Sequence, residues 1–442
     1  MNTRFLKELY EKLPESVKML SAPIIRNGMI KNKMFLEQHS ELIRADEMSD
    51  SEVTALQFDK LKKTCIFAYE NTQYYHKLFD QVGFDCFKFD SFSEFSHKVP
   101  VLTKDEVLAY YDEINVQSIH GDYPASTGGS SGKRLVINNA QECFYRENAF
   151  LCHHYLKFGD YDFRKSKVAY FGGLGSTIIS ASPLYNMMRY NSKLINRGTV
   201  AQVIKSLNSF KPDYIQGLPS AIYFFCKLLD ESKDKLAFKV KGVIFASENI
   251  YSNQRRYIER VLGCRSLAHY GHTERVVFAE EHFSDDEKPQ YSFNKLYGYT
   301  EIDAKDGTII GTGFINPKMP LIRYQTDDCA EELGNGLYHI EGHRTAAMVG
   351  KNGERISAAS FAHMDEIFDI IEKFQFVQDE PGVIRIDLIP KSQLTDSDIT
   401  EIRKSLDKKF MGNMSVKINV VDEIKLTTRG KYALLIQNIK DE

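Results

Sequence analysis

The chain contains no tryptophan, and its seven cysteines are scattered from Cys65 to Cys329 without a CxxC pair. An odd, dispersed set of thiols excludes the disulfide framework of a small secreted domain and the paired ligands of a structural zinc site. Reduced cysteines in the cytoplasm are the expectation. No block of like charge stands out, and a net charge of -3 gives no electrostatic footprint for nucleic acid. Long apolar runs are missing as well, so no segment is expected to span a bilayer. Met1-Asn2-Thr3-Arg4 leads into Glu8, Glu11 and Lys12 before any apolar stretch, which is not the pattern of a signal peptide. Internal repeats and low-complexity tracts are absent.

What is present describes a globular protein. Hydrophobic residues make up 43% and charged residues 26% of 442 positions, too many for one small core, so a large domain with a smaller appended one is predicted. The adjacent His153 and His154 have no carboxylate or cysteine at ligand spacing and read as a structural or surface pair. Met19 to Met29 is apolar, with Arg26 and Lys31 at hand, and packing against the main domain is favoured over a membrane surface.

The first hundred residues read as helical, including Glu52 to Tyr69. Thr103 and Glu106 have capping-box spacing, which predicts a helix start after Pro100. Farther on, candidate strands at Val168 to Phe171, Tyr214-Ile215, Val243 to Ala246 and Ser266 to His269 alternate with candidate helices at Gln202 to Leu207, Ser220 to Leu229 and Asn253 to Val261. That alternation is the mark of an α/β sheet with crossover helices. Ile309 to Gly313, Leu321 to Tyr324 and Leu337 to Glu341 read as a strand-rich patch. After Gly350, Val383 to Ile389 alternates with period two behind a Pro381-Gly382 turn, Thr395 caps a helix to about Phe410, and Ser415 to Val421 gives a strand. A hairpin, a helix and a strand make a compact α+β module.

The segment Ser126-Thr127-Gly128-Gly129-Ser130-Ser131-Gly132-Lys133 is suited to a polyphosphate. Glycines let backbone N–H groups approach phosphate oxygens, and the hydroxyls and the ammonium add donors. It is not a P-loop: the Gly128–Gly132 interval is one residue short, and Arg134 follows the lysine where that motif has Ser or Thr. Alone, such a segment is more often a linker.

Further segments give it company. Ala246-Ser247-Glu248-Asn249 follows a strand-like run, where ligands gather at the carboxyl edges of such sheets. His269-Tyr270-Gly271-His272-Thr273-Glu274 ends another, and Ile322 to Asp328, Gly342-His343-Arg344 and Thr427-Thr428-Arg429-Gly430-Lys431 complete the set. In order and spacing these resemble the adenylate-forming ligases that include acyl-CoA synthetases, and most nearly the phenylacetate-CoA ligase-like branch with the CapK-type proteins of bacterial surface-polysaccharide loci. Ala68 to Tyr75, Val99 to Lys104 and Gln216 to Ser220 extend the resemblance over nearly the whole chain.

The resemblance implies a large N-terminal α/β adenylation domain over residues 1–343, with 1–100 a largely helical extension, a hinge at 344–350 and a small α+β lid over 351–442. It implies ATP and Mg²⁺, with the glycine loop on the β- and γ-phosphates and Glu274 as the magnesium ligand. Thr273 would contact the α-phosphate or the acyl carboxylate, and Tyr270, beside Gly271, would lie against adenine. Ser247, Glu248 and Asn249 would line the adenine face, Asp328 would accept from the ribose hydroxyls, and Arg344 would donate to ribose or phosphate. Lys431 would bridge carboxylate and α-phosphate oxygens, with Lys425 a weaker candidate. The acyl pocket is expected to involve Tyr170 to Gly173 and Tyr270 to His272.

Three departures bear on this. Asp327 stands where many relatives have glycine, placing two adjacent carboxylates near a nucleotide unless Asp327 faces solvent. His343 falls in an arginine slot, with Arg344 one place on, and Thr345-Ala346-Ala347 lack the acidic hinge. The lysine motif lacks its usual proline. The expected activity is ATP-dependent activation of a carboxylic acid. Transfer would follow to a thiol, of coenzyme A or a carrier, or to an amine on a sugar or amino acid, in capsule or other surface-polysaccharide synthesis. Two alternatives remain open: a nucleotide-binding member without turnover, and an adenylyltransferase to a non-carboxylate acceptor.

Overall fold

A computed structural model of the protein describes residues 15–439 apart from 121–122, 127–134, 174–175, 249, 251, 285–287, 344–346, 353–354, 358–369, 411 and 427–431. From Glu15 to Lys98 the described chain is mainly helical, its longest helix spanning Asp50–Asn71. That helix starts where Ser49 and Glu52 exchange side-chain and backbone hydrogen bonds, the reciprocal cap that satisfies orphan N–H donors. Thr103 and Glu106 do the same ahead of Lys104–Ala109.

Twelve of the described strands of the large unit form one sheet. Met187–Asn191, Val168–Gly172, Tyr214–Gly217, Gly242–Phe245 and Ser266–Gly271 run parallel in that order. The helices Val200–Phe210, Pro219–Glu231 and Ser252–Leu262 connect them and bury Val203, Ile222 and Ile258 against Phe171, Val243 and Phe245. At Ser266–Gly271 the pairing changes: its other neighbour, Phe278–His282, is antiparallel, and antiparallel pairing continues to the edge strand Gly298–Ile302. The sheet is therefore mixed, with the His269 to Glu274 segment leaving it at the parallel–antiparallel junction. A separate hairpin, Tyr123–Ser126 with Val136–Asn139, flanks the glycine loop, whose residues 127–133 lie outside those described.

One sequence expectation is corrected. Leu321 to Arg323 are not strand; the strand begins at Tyr324. Arg323 has φ 50°, a left-handed conformation that breaks an extended run. Its guanidinium is held by Glu301 at 2.9 and 3.0 Å, and Leu102 bridges the same backbone through Arg323 O and Gln325 N. The expected helices and the other expected strands are present within a few residues, whereas further strands, among them Ile179–Ser182, Met187–Asn191, Phe278–His282, Gln290–Phe293, Gly298–Ile302 and Leu435–Gln437, were not foreseen.

His153 and His154 are structural. His153 Nε2 sits 2.9 Å from Asp46, and the buried His154 contacts Ala268 O at 2.7 Å. Arg26 of the Ala22–Ile30 helix is buried over the Phe163 ring, so this apolar segment packs on the large unit, although Leu20 and Ile24 remain exposed.

The C-terminal module has a four-stranded sheet in the order Ser415–Val420, Val383–Pro390, Ile371–Glu380, Leu435–Gln437. Its central pair is the expected antiparallel hairpin, and both outer strands are parallel to their neighbours. The helix Asp396–Phe410 lays Ile402, Leu406 and Phe410 on this sheet, and its start is capped by Thr395 and Asp398.

Candidate active site

The turn after strand Gly242–Phe245 is made by Ser247 at φ 68°. A non-glycine residue in that region is costly and persists where the surroundings hold it. Here Ala246 N donates to Gly217 O at 3.1 Å, and Glu248 Oε2 accepts from Ser220 N at 3.2 Å. Gly217 is indispensable to this corner: φ is 146°, and a Cβ would lie 2.0 Å from Phe171 O. Ser247 and Glu248 thus cap the carboxyl edge of the parallel strands. Asn249 lies outside the described residues.

On the junction strand, Tyr270 donates its hydroxyl to Asp328 Oδ2 at 2.8 Å. Burial, then the Asp328 charge, push the phenol pKa upward, so it remains a donor. Asp328 pairs in register with His343, and its own N–H donates to Thr326 Oγ1 at 3.2 Å. Asp327 next to it is exposed, with Lys104 Nζ 4.0 Å away, so the two adjacent carboxylates do not share one environment. A Cβ on Gly271 would meet Phe278 and Val277 only at 3.7 Å, so no steric demand fixes a glycine there.

Thr273 and Glu274 follow the strand end. Glu274 Oε2 lies 3.2 Å from His272 Nδ1, and Tyr324 OH approaches Oε1 at 3.5 Å. Burial opposes the Glu274 charge, but His272 outweighs it and holds the carboxyl below its ordinary range. Burial likewise opposes charge on His272, yet Glu274, Asp328 and Glu147 together raise its pKa. Arg275 turns at φ 56° and pairs with Glu147 at 2.7 Å, 5.5 Å from the Tyr123 ring. Ser126 ends the strand that carries Tyr123, which brings the start of the glycine loop beside this cluster. Lys104, Glu147 and Arg275 were not assigned roles from sequence. Lys104 and Arg275 adjoin motifs that were, but Glu147 leaves no local signal in the Gln141–Tyr155 helix.

Arg344, the glycine-loop residues Thr127, Gly128, Gly129, Ser130, Ser131, Gly132 and Lys133, and Lys431 lie outside the described residues. The flanks of the last are well defined. Buried Gln375 donates to Lys425 O at 3.0 Å and Ala433 O at 2.7 Å, pinning both ends of the 426–432 segment. Tyr432 OH donates to Phe374 O, and Tyr432 N donates to Glu248 Oε1 at 2.8 Å. Lys425 itself is exposed. The segment bearing the lysine motif is therefore joined to the Glu248 turn of the large unit. Arg197–Glu372 at 2.7 Å and Lys373 over the Phe224 ring at 3.8 Å add contacts between the two units.

The CapK C-terminal domain family matches residues 348–438. Over 454 aligned residues the chain is 23% identical to Protein CapK of Staphylococcus aureus, covering 95% of this chain and 98% of that one. The chain is thus CapK-like along nearly its whole length and resembles the adenylate-forming proteins. It is also 26% identical over 316 residues to phenylacetate-coenzyme A ligase of Escherichia coli strain K12, spanning 67% of this chain and 70% of that enzyme, which makes it kin to AMP-forming ligases. Its fold matches a 2-hydroxyisobutyryl-CoA ligase in the postadenylation state with a TM-score of 0.68 at 14% identity, covering 88% and 90% of the two chains. The mixed α/β unit with its smaller C-terminal sheet is thus folded like an acyl-CoA ligase. Among the described residues no helix is long and apolar enough to cross a membrane.

Proposed function

We propose that this CapK-like protein activates a carboxylic acid with ATP and passes the acyl group to a thiol, coenzyme A being the acceptor favoured by its phenylacetate-coenzyme A ligase relatives. The carboxylate oxygen attacks the α-phosphorus and pyrophosphate leaves; the thiol then attacks the acyl carbon, releasing AMP and a proton. The observation that carries this reading is the Tyr432–Glu248 hydrogen bond. It ties the segment holding Lys431 to the turn proposed to line the adenine, the arrangement that the first step needs.

Residue roles follow from chemistry. Asp328, an anionic acceptor kept oriented by Tyr270 and Thr326, suits two ribose hydroxyls. Glu274 is half-buried, and His272 holds its carboxyl below the ordinary range against the burial that opposes its charge, which fits a hard divalent cation held jointly by a carboxylate and phosphate oxygens. Mg²⁺ there would neutralise phosphate charge. Ser126 to Lys133 would hold the β- and γ-phosphates; Ser247, Glu248 and Asn249 would line adenine; Thr273 and Arg344 would donate to phosphate or ribose. Positioning and charge neutralisation are the main sources of rate in such a step.

We further propose the division at 1–343, 344–350 and 351–442, a cytoplasmic location, and a use in surface-polysaccharide decoration, which the CapK resemblance supports. ATP–pyrophosphate exchange against a panel of acids tests the activity. Exchange dependent on one acid, and lost in Lys431→Ala, is the expected result; silence with every acid while ATP still binds would turn the reading toward a nucleotide-binding protein without turnover.

A further inference from the structure

Beyond the nucleotide, one charge on the face of the parallel strands has no counterpart among the described residues. Tyr170, Arg189 and Ser180 stand side by side on adjacent strands, Tyr170 paired with Arg189 and Arg189 with Ser180. Their immediate neighbours along the chain, Ala169, Phe171, Met188 and Tyr190, are buried in the core on the helix-covered side, so alternation turns Tyr170 and Arg189 to the opposite face. The Tyr170 ring folds along its strand toward the carboxyl edge: a Cβ on Gly172 would fall 2.4 Å from Tyr170 Cε1. Arg189 Cζ lies 5.9 Å from that ring.

Arg189 is half-buried, and its Nε is buried without a hydrogen-bond partner among the described residues. The nearby charges are committed elsewhere. Glu147 is paired with Arg275 at 2.7 Å, and Glu248 accepts from Ser220 and Tyr432. Tyr185 bridges the two groups electrostatically: burial and Glu147 raise its pKa, while Arg189 and Arg275 pull it down. Tyr185 thus stands near both Arg189 and the Glu147–Arg275 pair.

A half-buried guanidinium without an anionic partner is costly beside an apolar acyl group. Its planar fork suits the two oxygens of a carboxylate. We infer that the acid activated here carries a second anionic group, as a dicarboxylate does, and that Arg189 binds it while the first carboxylate reacts near Thr273. The inference rests on the proposed adenylation and adds the class of acid.

Three matched pairs test it: succinate with butyrate, glutarate with pentanoate, and phthalate with benzoate. In pyrophosphate exchange the wild-type protein should prefer a dicarboxylate to its partner. Arg189→Met should lower kcat/KM for that dicarboxylate about 10- to 100-fold, the scale for a charged hydrogen bond, with its monocarboxylate little changed and Arg189→Lys intermediate. A wild-type preference for the monocarboxylates, or equal loss on both classes in Arg189→Met, would overturn it. Calorimetric titration with the same acids separates this idea from the activity. Arg189-dependent dicarboxylate binding without exchange would uphold the anion site and count against adenylation. Exchange with a monocarboxylate, with no Arg189-dependent dicarboxylate binding, would leave adenylation standing and reject the site, as would binding of none of the acids.

Discussion

Tyr432 N and Glu248 Oε1, 184 residues apart in sequence, meet at 2.8 Å. This bond carries no side chain of the C-terminal module, so it reports where that module's backbone sits rather than which residue occupies position 432. The Glu248 carboxylate also takes Ser220 N at the start of the Pro219–Glu231 helix, where an anion is favoured by the helix dipole.

Glu248→Ala should therefore weaken the first half-reaction more than the second. Loss of a charged hydrogen bond predicts a fall of about 10- to 100-fold in pyrophosphate exchange, with transfer from preformed acyl-adenylate to coenzyme A little affected. Equal effects on both steps would show that Glu248 has no special part in docking the module for adenylation.

Gln375→Leu should loosen the lysine-bearing segment. It removes the donor to the carbonyls of Lys425 and Ala433, at a cost of about 0.5–1.5 kcal/mol each. Denaturation should show a less stable protein, and exchange should fall while ATP affinity is kept. An unchanged exchange rate would mean that the segment is held by other contacts.

Two glycines of the family-like motifs should behave differently. Gly217→Ala forces a Cβ into Phe171 O and should prevent soluble expression, whereas Gly271→Ala meets only ordinary contacts and should fold normally. Soluble yield of the two variants, with circular dichroism of whichever is recovered, decides this, and a soluble, wild-type-like Gly217→Ala would contradict the geometry.

Acid should destabilise the large unit earlier than ordinary carboxylates require. Burial, helped by His154, lowers the His269 pKa to about 3, and burial of Glu280 is outweighed by His154 and Lys157, which hold its carboxyl well below the usual range. The unfolded chain binds more protons at both sites, so their contributions run in the same direction. The His269 contribution is complete above about pH 6.5 and is lost as pH falls from there toward 3; that of Glu280 begins to disappear below about pH 4.5. Urea midpoints at pH 7.5, 5.5 and 4.5 should fall in that order, with a smaller drop between the first two in His269→Gln. A flat profile across the upper interval would remove His269 from the account.

The sequence by itself determined the parts: a glycine loop with hydroxyls, strand ends bearing carboxylates and hydroxyls, crossover helices, and a final α+β module whose hairpin, cap and helix are each written in a few consecutive residues. Those features are local, set by turn chemistry and by the period of apolar side chains. Only the tertiary structure decided which parts meet. Tyr270 with Asp328, Tyr432 with Glu248 and Arg189 with Tyr170 depend on strand order and register across long separations. The Arg323 kink ahead of Tyr324 likewise depends on a distant Glu301 and on backbone from Ser96 to Leu102. An alternating pattern says that a strand exists and which face it buries, but it carries no label for the neighbour against which that face and edge will lie.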